Sequence, residues 1–379
     1  MTGCIVLGDS TVHEILINLT TPEILLFHDQ IVNSLLDFSV GGERSYQPSP
    51  SVVVRPNGQK SLFRPFTSAS SVGAKIIVDP AAKSTSANDK SGGPTLHGIL
   101  VVCDEDGIPT GIINADEITG YRTSLMAIIP YLWRRETAHI VVFGAGKQAL
   151  WHLRLALALR GSEISSITIV NRSKARAQVL LSTLQSENQT RWKSTCTMDC
   201  LETTAADYDQ TLGGVLSRAN VIFCTVPSQQ PLFPAQYVTE REDRANTGPY
   251  ISAIGSWQAD MIEVDPTIMQ YAVGPDQGFN STGGPGGTIL VDDRENALAN
   301  AGEIVQSQLK AEHMIEVGEL LQFQSDTPSG PQKERCTKWM EEGLLVYKSV
   351  GVSVTDLAAG NALLDLAKEK SMGEPLHTL

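Results

Sequence analysis

The chain has no basic block, no long apolar run and no paired cysteine motif, and each absence removes a class of function. Its 29 Lys and Arg stand against 42 Asp and Glu, a formal net charge of −13 at pH 7, and no stretch concentrates the cations. Nucleic acid and anionic membrane surfaces, both recognised through clustered positive charge, are therefore not expected partners. No segment approaches the roughly 20 apolar residues that a membrane-spanning helix needs. The first residues, Met1-Thr2-Gly3-Cys4-Ile5, carry neither a basic region nor a long apolar run, so the expected location is the cytoplasm. Six cysteines are scattered without a CxxC pair, and Cys196 with Cys200 has no histidine nearby. Reduced thiols without a metal follow from that spacing. Sequon-like triplets at Asn18, Asn188 and Asn280 would not meet a glycosylation machinery in the cytosol. No internal repeat is visible.

What is present is a chain of 379 residues with 41% apolar content, enough for a large core divided between two domains. Near the N-terminus, Thr11-Val12-His13-Glu14 reads as a capping box, and Thr21-Pro22 starts a second helix that runs to about Phe38 and stops at Gly41-Gly42. Residues 51–115 change texture to short β-rich runs, around Val53, Ile76 and Leu100, broken by Asn57-Gly58 and Asp106-Gly107 turns. A mostly antiparallel sheet is expected there. After Asp116 a helix carries Arg122-Thr123, and beyond Ile128 strands alternate with helices as in a parallel sheet. Two stretches read as embellishments: residues 186–210 are polar and irregular, and residues 274–288, rich in Gly, Pro, Asn and Ser, read as a mobile surface loop or a lid.

The most informative segment is Ala138-His139-Ile140-Val141-Val142-Phe143 running into Gly144-Ala145-Gly146-Lys147-Gln148-Ala149. It has the order of a dinucleotide-binding turn: a glycine for the tight turn, a second that lets backbone N–H groups approach a pyrophosphate at a helix N-terminus, and a small residue where helix and strand pack. The next strand ends in Asn171-Arg172-Ser173-Lys174, with no carboxylate to hold a ribose 2′-hydroxyl. Arginine and small hydroxyl residues in that place favour NADPH over NADH. Thr225, Val226, Gly255 and Ser256 follow the next two buried strands and are expected to rim the nicotinamide pocket, because ligands of parallel sheets bind at the carboxyl ends of strands.

Gly73-Ala74-Lys75, the run Asp116 to Ser124 with Ile118-Thr119 and Arg122-Thr123, the glycine turn, Ile254-Gly255-Ser256 with Glu263-Val264-Asp265, and Tyr347-Lys348-Ser349-Val350-Gly351 with Asp356-Leu357-Ala358-Ala359 occur in this order across nearly the whole chain. In these motifs the chain resembles the ornithine cyclodeaminase and mu-crystallin family. The resemblance implies an α/β protein: a Rossmann-type NAD(P)-binding domain over residues 128–334, and an α+β substrate and dimerisation domain made of residues 1–127 with 335–379, completed by the C-terminal helix. It implies hydride transfer between the nicotinamide and a carbon bonded to nitrogen, and a homodimer. It also implies that Lys75 contacts substrate and donates or relays a proton, that Arg122 lies near the nicotinamide and the substrate carboxylate, and that Thr95, Thr225, Val226 and Ser349 contact the cofactor. The chemistry agrees, since reducing an imine needs a cation to fix a carboxylate and a proton source for nitrogen, roles that suit Arg and Lys respectively. His97, on an expected strand, reads as a core histidine.

Two departures bear on the substrate. Many members carry Pro-Arg before the first hairpin, whereas this chain has Gln47-Pro48-Ser49-Pro50-Ser51; Arg64 is the candidate replacement and Arg55 a poorer one. Cyclodeaminases place an aspartate two residues after the glycine that is here Gly255, and this chain has Trp257, whose ring can stack on a cation but cannot act as a base. The expected activity is accordingly NADPH-dependent reduction of a small, preformed imine or ketimine, with Arg64 and Trp257 binding substrate. Cyclodeaminase or amino-acid dehydrogenase activity, and non-catalytic binding of NADPH with a small ligand, are the alternatives.

Overall fold

The computed structural model describes residues 3–80, 97–241, 247–275 and 277–376, and the chain divides into two compact units, residues 1–122 with 352–379 and residues 123–351. The first unit is built on seven strands. β1 (Cys4–Leu7), β2 (Ser51–Val54), β3 (Lys60–Thr67), β4 (Ser71–Asp79), β5 (His97–Asp104) and β6 (Pro109–Asn114) are joined by a terminal strand, Glu374–Leu376. The sheet order is terminal strand, β1, β6, β5, β4, β3, β2; only the β1–β6 pair is parallel. Side-chain alternation gives the sheet two different faces. On one, Phe66, Lys75, Leu100, Val102 and Ile113 are buried, and the C-terminal helix Ser353–Glu369 packs over them. On the other, Val53, Phe63, Val72 and Ile99 are each at least 37% exposed.

Helices α1 (Asp9–Ile17) and α2 (Thr21–Ser39) belong to this unit, and α2 lies against the C-terminal helix. α1 begins at Asp9 after Gly8, so Thr11 sits inside the helix and is not a cap. The capping box is one helix later: Thr20 accepts from the Glu23 N–H while Glu23 accepts from the Thr20 N–H, with Pro22 in the first turn. Both sites have a hydroxyl residue three before a glutamate, and local spacing alone does not separate them. His97 is exposed on β5 rather than a core residue, because it opens the strand on the uncovered face.

The second unit carries β7 (His139–Phe143), β8 (Ser166–Asn171), β9 (Thr197–Glu202), β10 (Val221–Cys224), β11 (Tyr250–Ala253), β12 (Ile289–Val291), β13 (Met314–Glu316) and β14 (Leu345–Lys348). They form one parallel sheet in the order β13-β12-β14-β11-β10-β7-β8-β9. The central strands β7, β10 and β11 are almost wholly apolar, as burial on both faces requires. α3 (Ala115–Trp133) begins in the first unit and ends in the second; α4 (Lys147–Arg160), α5 (Lys174–Thr190) and α6 (Tyr208–Arg218) connect the strands that follow.

Three expectations change here. The sequence places the junctions at 127/128 and 334/335, whereas the structure divides at 122/123 and 351/352; the second moves because β14 hydrogen-bonds between β11 and β12 and takes the preceding helix, Pro331–Glu342, with it. Residues 186–210 are not irregular: they hold the end of α5, all of β9 and the start of α6, a polar edge strand with few apolar residues to announce it. The glycine-rich stretch 274–288, of which residue 276 lies outside the described residues, is pinned into the core at one point rather than lying wholly on the surface. Phe279 is fully buried with its ring 5.0 Å from Phe323 and 5.8 Å from Trp339, and Arg335 and Gln332 donate to the Gly278 and Ser281 carbonyls. Phe279→Ala is expected to lower the stability of this unit by about 3–5 kcal/mol, read as an earlier urea midpoint with an unchanged slope.

Candidate functional site

Within the first unit, β4 carries Lys75 on the buried face, directly across from Arg64 on β3 and Leu100 on β5. The first turn of the C-terminal helix brings Asp356 over it, where the helix dipole favours a carboxylate. Lys75 Nζ donates to Asp356 Oδ1 at 2.7 Å, and Arg122 Nε of α3 lies 2.8 Å from the same oxygen. None of the three side chains is more than 4% exposed. Burial pushes the Lys75 ammonium down to about 7; Asp356 pulls it up, and the charges of Arg122 and Arg64 push it down again. Burial acts to raise Asp356, but Arg122, Lys75 and Arg64 together hold its carboxyl below the usual range. Lys75 is therefore not a strand-edge lysine reaching for water, nor Arg122 a surface partner of Asp116 or Glu117. Arg64 is half-buried beside them, whereas Arg55 and Pro50 are exposed.

Asp356 is the residue that sequence reasoning missed. It appears in the C-terminal signature without a role, although a lone carboxylate in the otherwise small and apolar run from Val350 to Ala359 is a readable signal.

In the second unit, chain order reverses between β7 and β10, the point where an open parallel sheet holds its ligand. The Thr225 hydroxyl and N–H both donate to the Phe143 carbonyl, at 2.7 and 3.1 Å, and close this end of the strand pair. Gly144 has φ +112°, and a Cβ there would lie 2.6 Å from Thr225 Oγ1, so only glycine fits. Gly146 begins α4 without any side-chain cap, and a Cβ on it would meet nothing within 4 Å. α4 therefore begins at Lys147 and Gln148 with no side-chain cap, and a helix N-terminus favours an anion through its first N–H groups and its dipole. Below it, Ser124 Oγ and His152 Nδ1 meet at 2.8 Å; burial pushes His152 down to about 4, so this imidazole is neutral.

At the end of β8, Asn171 donates to the Ser173 carbonyl and Ser173 caps α5, which shapes a turn whose Arg172 and Lys174 side chains are exposed and form no ion pair among the described residues. Ser349 donates to Asp292 Oδ2 at 2.7 Å, and the Val350 and Gly351 N–H groups donate to the same carboxylate. Trp257 is 36% exposed on the turn after β11, and Asp260, three residues on, accepts from Gln229 at 3.3 Å. Thr95 lies outside the described residues. Among the described residues no cluster of metal-ligating side chains occurs and no helix is long and apolar enough to cross a membrane.

A model of the ornithine cyclodeaminase/mu-crystallin family matches residues 69–371. The chain is 28% identical over 309 residues to a protein from Dictyostelium discoideum named an uncharacterized cyclodeaminase, covering 80% of this chain and 77% of that one. Two solved structures share the fold: Thermococcus litoralis Delta(1)-pyrroline-2-carboxylate reductase in complex with NADH and L-proline (TM-score 0.71, 14% identity, 98% and 100% of the chains covered), and an archaeal alanine dehydrogenase dimer with bound NAD (TM-score 0.70, 17% identity, 99% of each).

Gly144→Ala is expected to abolish saturable binding of NADPH and NADH, followed by cofactor fluorescence, because the added methyl forces the glycine turn away from Thr225. Gly146→Ala, which has room, is expected to weaken binding only in proportion to the approach it blocks.

Proposed function

The chain belongs to the ornithine cyclodeaminase/mu-crystallin family, and from that premise we propose that it is an oxidoreductase that reduces a small, cyclic imine or ketimine to the amine with NADPH. The observation that carries this reading is the buried gathering of Lys75, Arg122 and Arg64 around the one carboxylate of Asp356. Such a buried cluster of cations suits an anionic substrate and a group able to lose its proton near neutrality.

NAD(P)H, when bound, would supply a hydride to the imine carbon. The nitrogen must then hold a proton. Lys75, brought to about 7, can deliver it, whereas the planar guanidinium of Arg122 would grip a carboxylate. Arg64, across the strand pair from Lys75, would take over the clamp that Pro50 does not provide. Trp257 offers a ring to a cationic iminium in place of an aspartate. Gly144, Ala145, Gly146, Lys147 and Gln148 would hold the pyrophosphate. Asn171, Arg172, Ser173 and Lys174 would take the 2′-phosphate, and the absence of a carboxylate at the end of β8 favours NADPH over NADH. Thr225, Val226 and Ser349 would line the nicotinamide side, with Thr95 as a further contact.

We also propose that a second copy of this chain covers the sheet face that exposes Val53, Phe63, Val72 and Ile99, an apolar patch a lone subunit would leave in water. The alanine dehydrogenase that shares the fold is described as a dimer.

NADPH absorbance should fall when purified protein meets cyclic imines, faster with a carboxylate than without. Proline formed from ornithine and NADP would instead establish the cyclodeaminase reaction, and tight NADPH binding with no turnover would establish a binding protein. Lys75→Met is expected to lower kcat by about 10²–10⁴-fold. The wild-type reductive rate should decline as pH rises through about 7, where Lys75 loses its proton; a rate flat across that range would remove Lys75 as the donor.

A further inference from the structure

Behind the turns that follow β10 and β11 lies a set of charged side chains with no assigned role. Glu263 Oε1 accepts the Val226 N–H at 2.7 Å, while Oε2 accepts the Gly255 N–H at 2.6 Å and the Ser256 N–H at 3.2 Å. Gly255 has to be glycine for this, since a Cβ there would lie 2.5 Å from the Val226 carbonyl oxygen and 2.6 Å from Glu263 Oε1. A second tier fixes the first: Glu303 Oε1 accepts from the Glu263 N–H at 2.7 Å and from the Ser256 hydroxyl, and Lys348 of β14 donates to the Ser256 carbonyl and hydroxyl. Glu263, Ser256, Glu303 and Lys348 are each 0% exposed.

Burying two carboxylates and an ammonium costs several kcal/mol per ion, and apolar residues of similar volume would stabilise the core at least as well. Stability is a poor reason for the arrangement. Its geometric effect is specific: one carboxylate fixes the spacing of three backbone N–H groups on two separate turns.

We infer that Glu263 is a positioning residue that holds the turns carrying Val226 and Ser256 in register for the nicotinamide half of the cofactor. The inference rests on the NAD(P)H reading above, in which β10, β11 and β14 form the second mononucleotide half of the sheet. Glu263 itself touches neither cofactor nor substrate. It acts through the backbone, and it sets the direction in which Trp257 leaves the turn. Burial pushes its carboxyl up to about 7, Lys348 opposes that, Glu303 adds to it, and the N–H groups of Val226 and Gly255 favour the charged form. The Cys224 thiol, which faces the same groups, is held neutral by burial.

The test compares NADPH with 2′-phospho-ADP-ribose, the same molecule without nicotinamide, by calorimetry on the full chain, with NADH and ADP-ribose alongside. Glu263→Gln is expected to weaken the dinucleotide about tenfold or more and to leave the fragment unchanged. In the wild type the ratio of the two affinities should fall as pH drops through about 7, and in Glu263→Gln it should be flat. Equal effects of Glu263→Gln on dinucleotide and fragment would overturn the positioning role. If that variant does not fold, Gly255→Ala decides: selective loss of the dinucleotide supports the role, and an equal or absent effect overturns it. A wild type that binds neither ligand would sink the NAD(P)H reading itself, an outcome distinct from either.

Discussion

One oxygen atom, Asp356 Oδ1, holds the first unit's chemistry together. It is the shared partner of Lys75 and Arg122, so a strand, a long helix and the C-terminal helix converge on a single acceptor. Removing one member of such a buried set leaves the others uncompensated, a cost of roughly 3–5 kcal/mol. The same burial that makes the set expensive keeps Lys75 near the point of losing its proton. Structural liability and chemical usefulness here have a common cause, the exclusion of water from the covered face of the sheet.

The second unit uses charge differently. Around Glu263 and Asp292, buried carboxylates accept backbone N–H groups at strand ends, three at Glu263, and three at Asp292 together with the Ser349 hydroxyl. The loops at the carboxyl edge of the sheet are thereby tied to one another through side chains from below. A parallel sheet leaves these strand ends without partners of their own, and internal acceptors are one way to satisfy them.

Legibility in the sequence followed the range of the interaction. The glycine turn was readable because Gly144 answers a local demand, a positive φ beside Thr225, and the apolar runs of β7, β10 and β11 were readable because burial on both faces leaves no choice of residue. Lys75 and Arg122 were found through the family's motifs, and their burial agrees with more than a surface role. β9 escaped because an edge strand needs little apolar content, and the loop around Phe279 read as mobile because one aromatic ring among glycines does not reveal the Phe323 and Trp339 rings that receive it. Glu263 and Lys348 stand in the family's motifs without a role and Glu303 in none of them, because most of their partners are backbone groups, which every residue has.

The first unit is assembled from two segments separated by the whole second unit, and Lys75 lies 281 residues before the carboxylate that accepts from it. During synthesis the sheet that carries Lys75, like the helix that carries Arg122, emerges long before the helix that neutralises and covers it. Until that helix is made, the sheet presents an uncovered apolar face with a cation in its middle, so the unit can close only after the whole of the second unit has been synthesised.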